Sequence, residues 1–138
     1  MQEALEIFRD IIKYSIFFIA ADKSEENTVR ELISSCTEYI YLTKLSLISD
    51  TVKSDKIKYA EVCSIMTACN LDSSMHRFLI LKSAKAACKS IGNYITASMF
   101  IKKMLIYEKE VIKYIRYIFN NLAVFEFQKS FRSSKARV

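Results

Sequence analysis

The residues best suited to chemistry in this sequence are Cys63, Cys69 and His76, which follow one another at x5 and x6 spacings. Thiolate and imidazole are the ligands zinc takes, but zinc modules hold their ligands in closely spaced pairs, and these three match none of the common spacings. His76, the only histidine, reads more simply as a polar residue in the first turn of a helix. Cys36, Cys63, Cys69 and Cys88 all fall inside helical patterns and read as reduced core thiols. Asp22, Glu25 and Glu26 cluster, yet acids at a helix start act as a cap and complement the helix dipole. A Gly-rich phosphate loop, a His-Glu-x-x-His and a Gly-x-Ser-x-Gly are all missing, as is a carboxylate pair among apolar neighbours. The sequence therefore reads as a non-enzyme with no cofactor, no metal and no small-molecule substrate.

Charge offers a second kind of chemistry. The net charge is +6 over 138 residues. It is unevenly placed: residues 1–61 hold 8 bases and 11 acids, whereas residues 62–138 hold 13 bases and 4 acids. Lys102, Lys103, Lys109, Lys113 and Arg116 recur with Tyr107, Tyr114, Tyr117 and Phe119 between them. Such a surface could bind nucleic acid or an anionic membrane directly. The plainer reading is the solvated edge of an amphipathic helix whose aromatic residues pack in the core. The apolar run from Tyr14 to Ala21 is far shorter than the roughly 20 residues that span a bilayer. Acids in Met1-Gln-Glu-Ala-Leu-Glu stand where a secretory signal needs positive charge, so the expected compartment is the cytosol.

The elements that would position these residues are helices. Hydrophobic residues make up 51% of the chain and charged residues 26%, a globular balance. With no proline and one glycine, the turn chemistry of a β-sandwich is missing, and an all-α fold of about six helices is expected. Leu5, Phe8, Ile12, Ile16 and Ile19 mark a first helix from Gln2 to about Ala20. Asp22-x-x-Glu25 has the form of a capping box that opens a second, whose stripe is Val29, Leu32, Ile33, Cys36, Ile40, Lys44 and Leu47 and which fades near Asp50. Asp55 starts a third, which ends at Cys69-Asn70 with Asn70 as an αL stop. Asp72-Ser73-Ser74 caps a fourth.

The centre of the pattern is the stretch from Phe78 to Met104. Leu81, Ala84, Ala87, Cys88 and Ile91 line one arm of a hairpin; Tyr94, Ala97, Ile101 and Met104 line the other. Gly92 between them suits a C′ position with positive φ, and Asn93 suits the next N-cap. The small residues Ala84, Ala87 and Ala97 let the two axes approach closely. The second arm resembles the second half of a tetratricopeptide repeat, so antiparallel hairpins of TPR-like or α-solenoid type are expected, although no second copy of the repeat is present. A sixth helix is read from Glu108 to Asn121, built on Val111, Ile112, Ile115 and Ile118 and closed by Asn120-Asn121. The division is thus a helical interaction domain over 1–121 and an apolar then basic tail over 122–138, partly disordered. Within that tail Val124 to Phe127 suits a short strand or a last helical turn. Phe125, Phe127 and Phe131 require a partner or a groove, and a homodimer contact is one way to supply it.

Four segments, in order, resemble the carboxy-terminal region of the coatomer alpha subunit, the scaffold of the COPI vesicle coat. They are Ala4-Leu-Glu-Ile-Phe8, the Cys36-Thr-Glu38-Tyr39-Ile40 of the second helix, Asn70-Leu71 followed by His76 and Leu79-Ile-Leu81-Lys82, and Asn93-Tyr94-Ile-Thr96-Ala97 with Lys102-Lys103. The resemblance covers residues 4–106. It implies a non-enzymatic coat component in Golgi-to-ER retrograde and intra-Golgi transport, on the cytosolic face of Golgi membranes and COPI vesicles, touching the membrane only through the coat. It also implies other coatomer subunits as partners, the epsilon subunit among them. The family's epsilon-binding hairpin belongs to a β portion bearing cysteine, glycine and proline; here no Cys follows Cys88 and no Gly follows Gly92, so the resemblance does not extend to that contact. The family's propellers, which read dibasic cargo signals, have no counterpart, and a carboxy-terminal fragment of a longer, shortened alpha subunit is expected. Lys102, Lys103, Lys109, Phe125, Phe127 and Phe131 are the candidate partner-binding residues.

Overall fold

The computed structural model describes the backbone of residues 1–135 and the side chains of residues 1–118. Five helices follow one another: α1 (Gln2–Ser15), α2 (Lys23–Thr51), α3 (Lys56–Met66), α4 (Ser74–Ser90) and α5 (Tyr94–Lys135). No strand occurs among the described residues. Each helix packs on the next in the chain, so the molecule is a row of antiparallel hairpins. This is the all-α, TPR-like arrangement the periodicity predicts.

The helix starts are chemical. Asp22 accepts a hydrogen bond from the Glu25 amide at 2.9 Å, and the Glu25 carboxylate reaches back to the Ala21 amide at 2.8 Å, a capping box displaced by one residue at its second bond. Asp55 accepts from the Ile57 and Lys58 amides, Ser73 from the His76 amide and Asn93 from the Thr96 amide. Between α4 and α5 the Gly92 amide donates to the Lys89 carbonyl and the Asn93 amide to the Cys88 carbonyl, the paired bonds of a Schellman motif. Gly92 has φ 78°. A Cβ there would meet open space, so the cost of substitution lies in the backbone alone. Gly92→Val is expected to destabilise the fold by about 1–2 kcal/mol or more, because a β-branched residue is strained at positive φ. A smaller loss is expected for Gly92→Asn. Equal melting temperatures for wild type and Gly92→Val would overturn this assignment.

Three expected boundaries are corrected. The first helix ends at Ser15 rather than Ala20: the Phe17 and Phe18 amides bond three residues back and Ile16, Phe17 and Ile19 lie outside in solvent. The Ser15 hydroxyl donates to the Ile11 carbonyl at 2.7 Å. Asn70 is not in the left-handed region, since no residue other than Gly92 has positive φ among the described residues; α3 stops at Met66 and turns out through successive i→i−3 bonds. The separate sixth helix does not exist. The backbone stays helical through Glu108 and Asn120-Asn121 to Lys135, which also replaces the short strand considered at Val124 to Phe127. Asparagine costs a helix interior only some tenths of a kcal/mol, and with neither glycine nor proline beyond it nothing breaks the ladder. The expected disorder of the very end falls partly on residues 136–138, which lie outside the described residues.

The core is small-residue packing between α3, α4 and α5. Ala60, Cys63, Leu81, Ala84, Ala87, Cys88, Ala97 and Phe100 form one buried cluster, with Tyr59, Ile91, Met104 and Tyr107 packed against it. On α5 the buried and half-buried positions Ala97, Phe100, Met104, Tyr107 and Val111 alternate three and four apart, a seam that faces α4.

Candidate interaction surfaces

The polar residues that the fold brings together lie around residues 67–73, where α3 turns into α4. Glu38 on α2 accepts a hydrogen bond from the Asn70 amide at 2.9 Å. Ser35, a turn earlier, bonds the Asp72 carboxylate, and the Tyr39 hydroxyl shares a 2.8 Å hydrogen bond with His76 Nδ1. The Tyr39 ring stacks on Phe8 of α1 at 5.4 Å and meets the His76 ring edge-on. On the other side, Arg77 donates through Nε to the Leu71 carbonyl, through Nη2 to Asn70 at 2.8 Å and through Nη1 to the Tyr107 hydroxyl at 3.3 Å. Its guanidinium also lies over the Tyr107 ring. Leu71, the most buried large side chain, is clamped beneath. One turn thus ties α1, α2, α4 and α5 together, and four of the residues on which the resemblance rests, Glu38, Tyr39, Asn70 and His76, turn out to be each other's partners.

Burial and the Asp72 carboxylate push the Tyr39 hydroxyl above its ordinary pKa. Burial likewise pushes up the thiols of Cys36, Cys63 and Cys69, which keeps them protonated and poor nucleophiles. All four cysteines are free; three are buried and Cys69 is half-buried. Among the described residues no three His, Cys, Asp or Glu side chains converge on a point where a metal ion could sit, and His76 is engaged by Tyr39 rather than by a thiol.

The candidate basic residues occupy the outer side of α5. Lys102, Lys103 and Lys109 are all exposed. Lys103 borders a cleft of about 330 Å³ with Arg77, Asn70, Ile106 and Tyr107, while Lys109 stands between Glu108 and Glu110. Lys102 and Lys109 are seven residues apart and share one side of α5 with Lys113 and Arg116, while Glu108 and Glu110 flank that side. Glu110 bonds Ser74 at the start of α4. The side chains of Phe125, Phe127 and Phe131 lie outside the described residues.

Periodicity did not reveal what is uncovered. Ile95, Met99, Ile101, Leu105 and Ile106 of α5 face solvent, as do Ile112, Ile115 and Ile118 further along. At the opposite end of the row an open groove of about 650 Å³ runs between α1 and α2, lined by Ile7, Asp10, Ile11, Tyr14, Phe18 and Leu32 among others. A helix apolar on more sides than its neighbours can cover has the same 3.6-residue pattern as a buried one. No helix among the described residues is long and apolar enough to cross a membrane.

Helix hairpins in a row, a core of small residues, a polar clasp between helices and large uncovered apolar faces define an all-helical domain. The family described as the carboxy terminus of the coatomer (COPI) alpha subunit matches residues 1–121, and the chain belongs to it. It is 31% identical over 103 residues to coatomer subunit alpha-1 of Arabidopsis thaliana, which covers 75% of this chain and 8% of the relative. It is 31% identical over 109 residues to coatomer subunit alpha of Dictyostelium discoideum, covering 75% of this chain and 9% of that protein. The chain therefore spans less than a tenth of the length of the curated relatives it matches. No solved structure matches. The family match reaches residue 121, past residue 106 where the four landmarks end, so it takes in α5 through Asn120-Asn121.

Proposed function

We propose that this chain is the carboxy-terminal interaction module of a COPI coatomer alpha subunit, a scaffold element of the vesicle coat in Golgi-to-ER retrograde and intra-Golgi transport. It works without catalysis on the cytosolic face of Golgi membranes and COPI vesicles and meets the membrane through the coat. The observation that carries this reading is the clasp: Glu38 and Tyr39 close on Asn70 and His76 inside the segment that matches the coatomer alpha family. The partners are other coatomer subunits. The relatives are named as alpha subunits of coatomer, and an alpha subunit works within that assembly. No strand occurs among the described residues, so any epsilon contact falls to the helical faces: Lys102, Lys103 and Lys109 with the exposed apolar side chains beside them. Phe125, Phe127 and Phe131 supply a further contact between chains, a homodimer included.

The full-length protein, tagged in its own cell, is expected to bring down coatomer subunits and to colocalise with Golgi membranes. A different result would overturn this: no coat subunit recovered, together with binding to DNA, RNA or anionic vesicles that persists at physiological salt and falls steeply as salt rises. That outcome would favour direct charge-driven binding.

A further inference from the structure

Two parts of the molecule run past the start of α4 in the same direction. Tyr39 meets His76 and Ser35 meets Asp72, so the middle of α2 lies level with the first turn of α4. Helix α2 turns back into α3 at residues 52–55, and α3 runs antiparallel to α4, with Ser64 beside Cys88 and Met66 beside Ile80. Helices α2 and α4 therefore point the same way, and residues 23–34 of α2 stand beyond the start of α4. Helix α1 pairs with α2 there, since Phe8 stacks on Tyr39, and the α1–α2 groove lies in this projecting tip. On the far side Glu110 bonds Ser74, which places Val111 at the same level. The rest of α5, roughly 36 Å of helix at 1.5 Å per residue, continues beyond it as an arm.

Tip and arm are complementary. The groove is apolar, with Ile7 53%, Tyr14 67%, Phe18 53% and Leu32 44% exposed, and the Asp10 carboxylate lies in its lining. Residues 1–35 hold seven acids and four bases. The arm begins with Ile112, Ile115 and Ile118 exposed beside Lys113 and Arg116, and residues 111–135 hold five bases and one acid in sequence. Lys13 lies over the Tyr14 ring, so the negative character of the groove rests on Asp10 and on the acidic excess of the surrounding residues 1–35; a basic apolar helix and an apolar groove in acidic surroundings are the two halves of a helix-in-groove contact. Both project to the same side of one chain, so two copies facing each other can exchange arms reciprocally about a two-fold axis and close the contact.

We infer that the α1–α2 groove takes the projecting half of α5 from a second copy of this chain, giving a reciprocal dimer. The inference deepens the self-association within the proposed function and leaves the contacts to coat subunits on other faces.

The 138-residue chain is tested by sedimentation equilibrium across concentration and salt. Wild type is expected to dimerise, less tightly at higher salt. Asp10→Lys alone and the double change Lys113→Glu with Arg116→Glu are each expected to weaken dimerisation at least tenfold. All three positions are exposed, so thermal melts should stay unchanged. Mixing the two variant proteins restores opposite charges at both contacts and should restore the dimer. A wild-type chain that is monomeric at all concentrations overturns the inference, as does a dimer indifferent to both reversals or a mixture that stays monomeric. If coatomer subunits still co-purify with a monomeric chain, the docking proposed here fails while the coat assignment stands.

Discussion

Phe100→Ala is expected to lower the stability of the helical domain by about 3–5 kcal/mol, a large share of the roughly 5–15 kcal/mol a domain of this kind possesses. Phe100 is 6% exposed and is the one large aromatic side chain in a cluster otherwise made mainly of alanine and cysteine, with Leu81. Neighbours as small as Ala84, Ala87 and Ala97 cannot extend to fill the space it would leave. The melting temperature should fall by about 10–20 °C, and the urea midpoint should drop with an unchanged slope. Met99→Ala is the control: Met99 lies next in sequence but is 55% exposed, so its loss should stay within about 0.5 kcal/mol. Ala97→Leu tests the same seam from the other side, since overpacking at a close contact between axes costs about 1–3 kcal/mol. If Phe100→Ala behaved like Met99→Ala, α5 would not be docked on α4 through this face.

The seam and the helix starts were legible because they depend on local chemistry. Asp22, Asp55, Ser73 and Asn93 cap from positions where an acceptor side chain precedes an apolar repeat, and Gly92 is the only residue that takes positive φ without strain. Helix ends were less legible. The apolar repeat of the first helix runs on through Ile16 and Ile19, but a repeat records which side chains share a face and not whether anything covers that face. Asn120-Asn121 looked like a stop on the same local grounds, and the ladder passes through it because a modest propensity cost cannot end a helix unaided. The clasp was half legible. Glu38, Tyr39, Asn70 and His76 stood out through the family resemblance, yet nothing in their spacing of more than thirty residues told that they touch. Contacts between elements follow from how helices pack, which a one-dimensional pattern does not encode. For the same reason the groove between α1 and α2 and the uncovered side of α5 emerged only from the structure.

Truncation after Asn121 is expected to separate folding from assembly. Among the described residues α5 packs on α4 alone, and its buried seam ends at Val111, ten positions before the cut. The core cluster of Ala60, Leu81, Ala84, Ala97 and Phe100 is left whole, as are the Arg77 bonds to Leu71, Asn70 and Tyr107. The truncated chain should therefore melt within a few degrees of the full one. The removed segment carries Phe125, Phe127 and Phe131 with Lys129, Arg132 and Lys135, a combination suited to an apolar surface rimmed with acids. Its loss should weaken self-association, although Ile112, Ile115, Ile118, Lys113 and Arg116 remain, and should leave binding to coat subunits in place; light scattering would read the first and co-purification the second. A fall of more than about 10 °C at unchanged, monomeric mass would mean that the segment belongs to the folded core of its own chain, since only lost intramolecular packing lowers stability without changing assembly.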